Sequence, residues 1–389
     1  MKRVLIFSLA YFPHVGGAEV AIKEITDRIP SSDIEFHMVT MRFSRTEASE
    51  EKIGNVFVHR IGNGSGKLSK FMYQFSAVRK ASALHHQYRF DGVWAMMAHS
   101  SGIPAGLFKT FHRNVRYLLT LQEGDPPEYI ERLARPVWPL FKRGFTKADE
   151  LQAISNFLLA WGRRMGFEGH AEVVPNGVDA EHFAHAYAEE EIGAIRQKLG
   201  KDSSDVFLVT TSRLVHKNGI DDVIRALALL PENIHFLVYG IGPDEAMLKN
   251  LASELGVETR VHFMRQLGHA EMPLVFRACD IFIRPSRSEG MGISFVEAMA
   301  AGLPVIATQE GGIADFLYDA KRNPDKPTTG WAVDKDSPEQ IAAAVKDILA
   351  HPEQAKKVVA TARQFAHDNF DWDIIAKNMR EKVFARVLK

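Results

Sequence analysis

The sequence predicts an α/β protein built from two doubly wound, Rossmann-like domains facing a central cleft. Three observations carry that expectation. Short apolar runs alternate with amphipathic segments along the chain, the pattern of parallel strands joined by crossover helices. No internal sequence repeat accompanies this alternation, which indicates two doubly wound domains. The 389 residues exceed what one core usually serves, so two domains of about 150 to 200 residues are expected.

Composition narrows the function classes. Hydrophobic residues make up 46% and charged residues 25%, the balance of an ordinary globular chain. Lys plus Arg and Asp plus Glu number 48 each, so net charge gives no reason to expect nucleic acid as a partner. Cys279 is the only cysteine, which excludes an intrachain disulfide and a cysteine zinc cluster and points to a reducing, cytoplasmic location. No apolar run reaches the roughly 20 residues of a spanning helix.

Residues 4–9 form a short apolar run suited to a strand buried on both faces. The preceding Lys2 and Arg3 give the start the look of a leader. Pro13 and Gly16-Gly17 then arrive where a strand would turn, and a first strand is the better reading. The turn YFPHVGGAE leads into a helix over 18–28. Strand, glycine turn and helix place backbone amides where a phosphate could approach, although a bare Gly-Gly also serves as a packing turn. Strands are expected at 34–40 and 56–60. NGSGK at 63–67 resembles part of a P-loop but lacks its first glycine and its terminal Ser or Thr, and reads as a loop. A helix over 70–88, a strand over 92–98 ending at His99, and a strand over 117–121 ending in QEGDPPE follow.

Ligands of open parallel sheets bind beyond the carboxyl ends of strands, which favours His99 and residues 122–125. The segment 129–145 interleaves Arg132, Arg135, Lys142 and Arg143 with Leu133, Val137, Trp138, Leu140 and Phe141. It suits either an anionic membrane surface or a solvated face over a packed one. A strand over 150–154, a helix over 156–165 and a short strand over 172–174 ending in PNGVD complete this half. The polar stretch 182–205 reads as the junction, giving domains at 1–182 and 183–371.

The second half repeats the alternation. Strands are expected at 207–211, 235–239, 261–264, 281–284 and 305–307, with helices at 220–230, 245–255, 272–277, 338–349 and 353–369. A last helix covers 372–387. Within this half, SRSEGMGISFVEAMAAG at 286–302 is the most informative stretch. Ser294 and Glu297 have capping-box spacing, and Gly302 with Pro304 reads as the stop. Gly290, Met291, Gly292 and Ile293 then sit at a helix N-terminus, where unpaired amides and the helix dipole favour an anion. A carboxylate inside such a site would repel the anion, so Glu289 and Glu297 suit hydroxyls at its two ends. A phosphate flanked by hydroxyls describes a sugar nucleotide. The capping role for Glu297 stays open beside the ligand role.

Arg213 and Lys217, four residues apart after a strand, would match the two charges of a diphosphate without a metal. The two DxD pairs, Asp334/Asp336 and Asp371/Asp373, lie at helix starts, where carboxylates act as caps or dipole partners. No metal-ligand spacing appears among the 16 histidines.

With these motifs assembled, the chain resembles the retaining glycosyltransferases of family 4, which have the GT-B fold. YFPHVGGAE matches the opening GGxE turn, VVPNGVD the motif before the interdomain linker, and SRLVHKNGID the GRLxxxKG motif. RPSRSEGMGISFVEAMAAGLPVIAT with the following GGI matches the Glu-x7-Glu signature. The resemblance implies a nucleotide-sugar donor as co-substrate, a glycan or lipid-linked acceptor, no metal, and retention at the anomeric carbon. It implies Arg213 and Lys217 on the diphosphate, Glu297 on the ribose and Glu289 on the transferring sugar. Gly17 and the amides after Gly290 would approach the phosphates or sugar, and the last helix would return to the N-terminal domain. One departure is visible. Thr120-Leu121-Gln122 stands where members often carry Thr-x-His near the reacting sugar, so Gln122 cannot take a proton. Gln122 orienting a hydroxyl, compensation by His99, Glu123 or Asp125, an unusual acceptor, binding without catalysis, and sugar-nucleotide epimerisation remain the alternatives.

Overall fold

The computed structural model describes residues 1–64 and 66–389 as two compact units, 1–177 with 372–389 and 178–371. In the first, β1 (Lys2–Phe7) leads through the glycine turn to α1 (Gly17–Asp27) and then β2 (Ile34–Met41). A tight turn at Gly54-Asn55 joins β3 (Glu50–Ile53) to β4 (Val56–Ile61), the single antiparallel pair of the sheet among the described residues. This hairpin is absent from the sequence expectations because β3, EEKI, has no apolar face to announce it. The expected loop at 63–67 includes Ser65, which lies outside the described residues. Next come α2 (Lys67–Tyr88), β5 (Gly92–Met96), a π-helical turn at Ala98–Gly102, and α3 (Ile103–Phe111). Then follow β6 (Arg116–Leu121), α4 (Pro127–Ala134), α5 (Trp138–Thr146), β7 (Glu150–Ala153), α6 (Asn156–Arg164) and β8 (His170–Val173).

The strand order is β3-β4-β2-β1-β5-β6-β7-β8. Val4, Leu5, Ile6 and Phe7 are buried on both faces, as a central parallel strand requires. The basic amphipathic segment at 129–145 is made of α4, a 3-10 turn at Arg135–Val137, and α5. Pro136 and Pro139 cannot donate to the preceding turn and start new helical pieces instead.

The second unit opens with α7 (Ala180–Ala184) and α8 (Glu189–Lys198), so the stretch expected as a junction at 182–205 is largely helical and packs on α11 below. Its polarity reflects a helix that buries only Ile192 fully. The alternation continues with β9 (Val206–Thr211), α9 (Ile220–Leu227), β10 (Ile234–Tyr239), α10 (Glu245–Glu254) and β11 (Val261–Arg265). It runs on through α11 (Met272–Ala278), β12 (Ile281–Arg284), α12 (Ile293–Ala301), β13 (Val305–Ala307) and β14 (Trp331–Ala332) to α13 (Pro338–Ala350) and α14 (Pro352–Phe370). All six strands pair in parallel, in the order β11-β10-β9-β12-β13-β14. Leu208, Val223, Ile224, Phe236, Ile281, Ile306 and Ile341 knit sheet and helices into one core.

The C-terminal segment, α15 (Trp372–Asn378), a π-helical turn at Met379–Phe384 and α16 (Ala385–Val387), belongs to the first unit. Phe384 fixes it there, with ring centroids 5.8 Å from Phe36 and 5.2 Å from Trp94. Among the described residues, no helix is long and apolar enough to cross a membrane.

Candidate functional site

The second sheet reverses its strand order between β9 and β12: the chain runs outward through β10 and β11, then returns to β12 on the other side of β9. Such a switch point opens a crevice at the strands' carboxyl ends. The loops leaving these two strands carry Arg213 with Lys217, and Glu289 with 290–292. Two motifs about 70 residues apart thus become neighbours through sheet topology alone.

α12 begins at Ile293 on Gly292, whose φ of +83° is left-handed. A Cβ there would lie within 2.7 Å of the Phe295 ring and the Arg284 guanidinium, so only glycine fits. The expected capping box does not form. No side chain caps this helix, and Ser294 Oγ instead accepts from Arg284 Nη1 at 2.9 Å. The amides of the first turn therefore keep their anion-binding character.

Arg284 is the residue the sequence reading passes over. It closes β12 after Ile281, Phe282 and Ile283, and is only 5% exposed. Its Nη2 donates to Glu289 Oε2 at 2.9 Å, its Nη1 also reaches the Thr211 carbonyl at 3.3 Å, and the guanidinium lies 4.2 Å from the Phe295 ring centroid. Burial draws its pKa below the ordinary value, while the charges of Glu289 and Glu297 oppose that; an arginine so placed remains charged. The pairing removes the difficulty of a carboxylate beside an anion site, because the charge of Glu289 is already met. An arginine ending an otherwise apolar strand was the available signal.

Glu289 is held from two further sides. Its Oε1 accepts from the Gly290 amide at 3.1 Å, and its carbonyl accepts from the Gly312 amide at 3.0 Å. A Cβ at Gly311, with φ +63°, would lie 2.1 Å from that carbonyl oxygen. The GGI motif is thus the backing of Glu289. Glu297, on the second turn of α12, is buried and points Oε1 at His269 Nε2, 3.5 Å away. The His269 ring stacks on His182, centroids 5.4 Å apart.

Arg213 is exposed and its carbonyl accepts from Asn218 Nδ2 at 2.6 Å. The Lys217 carbonyl accepts the backbone amide of Arg287 at 2.7 Å. The Arg287 side chain grips Asp221 through both terminal nitrogens, at 2.8 and 2.9 Å, and reaches Asp222, Asp336 and the His216 carbonyl. This clamp, joining residues 216–222 to 287, was also missed; nothing local in the sequence links them. Thr211 Oγ1, Ser212 Oγ and Ser286 Oγ are buried at the same strand ends without a hydrogen-bond partner among the described residues.

In the first unit, Gly17, His99 and Gln122 follow β1, β5 and β6, consecutive neighbours in the sheet. A Cβ on Gly17 would meet nothing within 4 Å, so the space before α1 is open. His99 presents a side chain 45% exposed, with Nδ1 3.6 Å from Glu123 Oε1. Glu123 is buried and accepts backbone amides from Ala98, His99 and Gln122 at 2.5, 3.3 and 3.0 Å. Its role is to brace the His99 turn. Gln122 and Asn176 exchange two amide hydrogen bonds, at 3.0 and 3.2 Å, linking the Thr-Leu-Gln strand end to the PNGVD motif.

Of the DxD carboxylates, Asp334 pairs with Arg322 at 2.9 Å, Asp336 with Arg287 at 2.6 Å, and Asp373 with Arg28 at 2.6 Å. Among the described residues no three His, Cys, Asp or Glu side chains gather as a metal site would need.

This architecture is the GT-B fold. The sucrose-phosphate synthase of Thermosynechococcus elongatus superposes with a TM-score of 0.81 at 20% identity, covering 99% of this chain and all of that one. Residues 15–182 match Glycosyltransferase Family 4 and residues 191–365 match Glycosyl transferases group 1. Between them the two models span most of the chain, which is a family 4-like GT-B protein. A Mycolicibacterium smegmatis protein named GDP-mannose-dependent alpha-(1-6)-phosphatidylinositol monomannoside mannosyltransferase is 32% identical over 250 residues, 61% of this chain and 63% of that protein. The chain thus spans just under two thirds of that relative's length. Alpha-monoglucosyldiacylglycerol synthase of Acholeplasma laidlawii is 22% identical over 337 residues, 82% and 83% of the two chains.

Proposed function

We propose that this protein transfers a sugar from a nucleotide-diphosphate sugar to the hydroxyl of a lipid-linked or glycan acceptor, with retention and without a metal. The observation that carries the reading is the meeting of the Arg213–Lys217 loop with the uncapped N-terminus of α12 at one switch point. Cations and oriented amides there suit negative charge that grows on a leaving diphosphate, and their fixed positions require no reorganisation as the bond breaks. Glu289, charge-balanced by Arg284, addresses hydroxyls of the transferring sugar. Glu297 addresses the ribose, and the orphaned hydroxyls of Ser212 and Ser286 offer further polar contacts. The acceptor belongs to the first unit, near Gly17, His99 and Gln122, and its proton passes to the leaving phosphate. The relatives' names, one a phosphatidylinositol monomannoside mannosyltransferase and one a synthase of monoglucosyldiacylglycerol, support a lipid-linked acceptor, and with it we place the protein peripherally at the cytoplasmic face of a membrane.

Gln122 favours one rival, binding without turnover, because its amide is engaged by Asn176 and cannot move a proton. Thermal-shift titration with uridine, guanosine and adenosine diphosphate sugars is the first test, since a ligand of the folded state raises the melting temperature. Arg213→Ala should then lower turnover by about 100-fold or more, the scale of losing one preorganised donor. Absence of any shift across the panel would sink the reading, and shift without product from any acceptor would favour the rival.

A further inference from the structure

Arg60 stands near the end of β4 with its side chain only 1% exposed, and it bonds to the two segments that lie over it. Nη2 donates to the Phe12 carbonyl at 2.7 Å and Nη1 to the Ala48 carbonyl at 3.0 Å. Glu51 pairs with Nη1, and Glu47 Oε2 lies 3.7 Å from Nε. Glu47, 10% exposed, carries this charge pair outward. Its Oε2 accepts the Phe43 amide at 3.1 Å, while Oε1 accepts the Ser44 amide at 3.1 Å and meets His14 Nε2 at 2.8 Å. Desolvation works the other way, but hydrogen bonds from His14 and the Phe43 amide and the charges of His14 and Arg60 hold the Glu47 carboxyl below its ordinary range. The Phe43 ring flanks the imidazole, centroids 4.5 Å apart, and the His14 amide donates to the Tyr11 carbonyl at 3.1 Å. Arg42 fastens the same loop, with Nε on the Glu47 carbonyl at 2.9 Å and Nη2 on the Arg45 carbonyl at 2.6 Å.

Burying a guanidinium and a carboxylate is costly unless both are paired. Here the paired charges converge on one imidazole whose side chain is 45% exposed. An ionised carboxylate at Nε2 requires the proton there, which leaves Nδ1 of the neutral ring as an acceptor. Among the described residues Nδ1 has no hydrogen-bond partner. Closing the 42–49 loop accounts for Arg42 and for the Glu47 bonds to Phe43 and Ser44. It does not account for a fixed ring orientation and tautomer at an exposed position. The turn that holds His14 leaves the carboxyl end of β1 and also holds Gly17, beside the strand ends that lead to His99 and Gln122. There the Gln122 amide is engaged by Asn176, and Glu123 is occupied by backbone amides. His14 supplies an oriented acceptor that no neighbour uses.

We propose that His14 is a substrate-binding residue of the transferase: its Nδ1 accepts a hydrogen bond from a hydroxyl of the acceptor, and Glu47 and Arg60 are positioning residues that act through it. The hydroxyl so bound neighbours the one that reacts, whose proton goes to the leaving phosphate. This rests on the transferase reading and adds to it an Arg60–Glu47–His14 line drawn from three separate segments.

Initial rates of the full-length protein test this, with uridine diphosphate glucose and guanosine diphosphate mannose as donors and methyl and octyl glycosides of glucose and mannose as acceptors. His14→Phe keeps a ring against Phe43 and removes both nitrogens. It should lower kcat/KM for the acceptor about five- to tenfold, the worth of one hydrogen bond, and leave the KM for donor at the wild-type value. His14→Gln restores an acceptor oxygen and should recover part of the loss. Glu47→Gln releases the ring and should lose about as much as His14→Phe, and the double variant should lose no more than either, since both act through one contact. His14→Phe should also keep the wild-type melting temperature and its rise with uridine or guanosine diphosphate, which reads folding and the donor site separately. Wild-type acceptor kcat/KM in His14→Phe, or additive losses in the double variant, overturns the proposal and leaves the transferase reading standing. So does an equal rise in the KM for donor, since the turn would then serve the donor. If the wild type binds the nucleotides but glycosylates none of these acceptors, binding without turnover is favoured and the proposal falls with the transferase reading.

Discussion

At the scale of single residues, Arg284 decides how Glu289 can sit beside an anion site. The buried pair is bonded at 2.9 Å and supported by Ser294 and the Phe295 ring. Removing one partner of such a pair strands the other charge, at a cost of about 3–5 kcal/mol where no water reaches it. Arg284→Leu should therefore lower stability in urea by a few kcal/mol and, in the fraction that folds, raise the KM for donor while lowering kcat. Arg284→Lys keeps the charge but cannot hold Glu289, Ser294 and Thr211 together, and should recover stability more than turnover. Wild-type kinetics in both variants would show that Glu289 is oriented without Arg284. The glutamates, glycines and the Arg213–Lys217 pair were legible as local patterns. The capping box was legible too, but wrong, because Ser294 Oγ is taken by an arginine ten residues upstream. Spacing reports which residues share a turn; it does not report a competitor arriving from the neighbouring strand.

At the scale of elements, Arg287 ties the loop after β9, the start of α9 and the loop before α13 into one body, and three carboxylates share its charge. For Asp222 the balance is unfavourable. Burial and the charge of Asp221 raise its pKa to about 6, against the pull of Arg287. A carboxyl raised above its unfolded value contributes stability while protonated and loses it as pH rises through the folded value. Stability should thus fall between about pH 4 and pH 6 by an amount on the order of 2–3 kcal/mol from this group, and stay level above. Asp222→Asn should remove that slope, so the variant gains on wild type as pH rises across this window; parallel curves from urea denaturation would refute the assignment. Strands and helices with a single buried face were legible from apolar periodicity. α8 escaped because it is almost wholly polar, β3 because it has no apolar alternation, and the division into α4 and α5 because amphipathic spacing does not report where two prolines restart a helix.

At the scale of the whole molecule, alternation along the chain was enough to indicate two doubly wound halves, since each parallel sheet needs its own crossover helices. The placement of 372–389 depends on Phe384 finding Phe36 and Trp94, a tertiary match that no local pattern contains. The residues assigned to the donor lie in the second unit except Gly17 and Gln122, while a cavity lined by parts of α2, α4 and α5 lies wholly in the first. Each unit has its own core, so ligand protection should be regional, because exchange reports the local opening that a ligand suppresses. Hydrogen exchange with saturating uridine or guanosine diphosphate should slow amides across 206–219 and 286–301 about tenfold or more, and leave the inner stripe of α2 unchanged. Nucleotide protection confined to the first unit would place the donor on the wrong sheet and remove Arg213, Lys217 and α12 from the chemistry together.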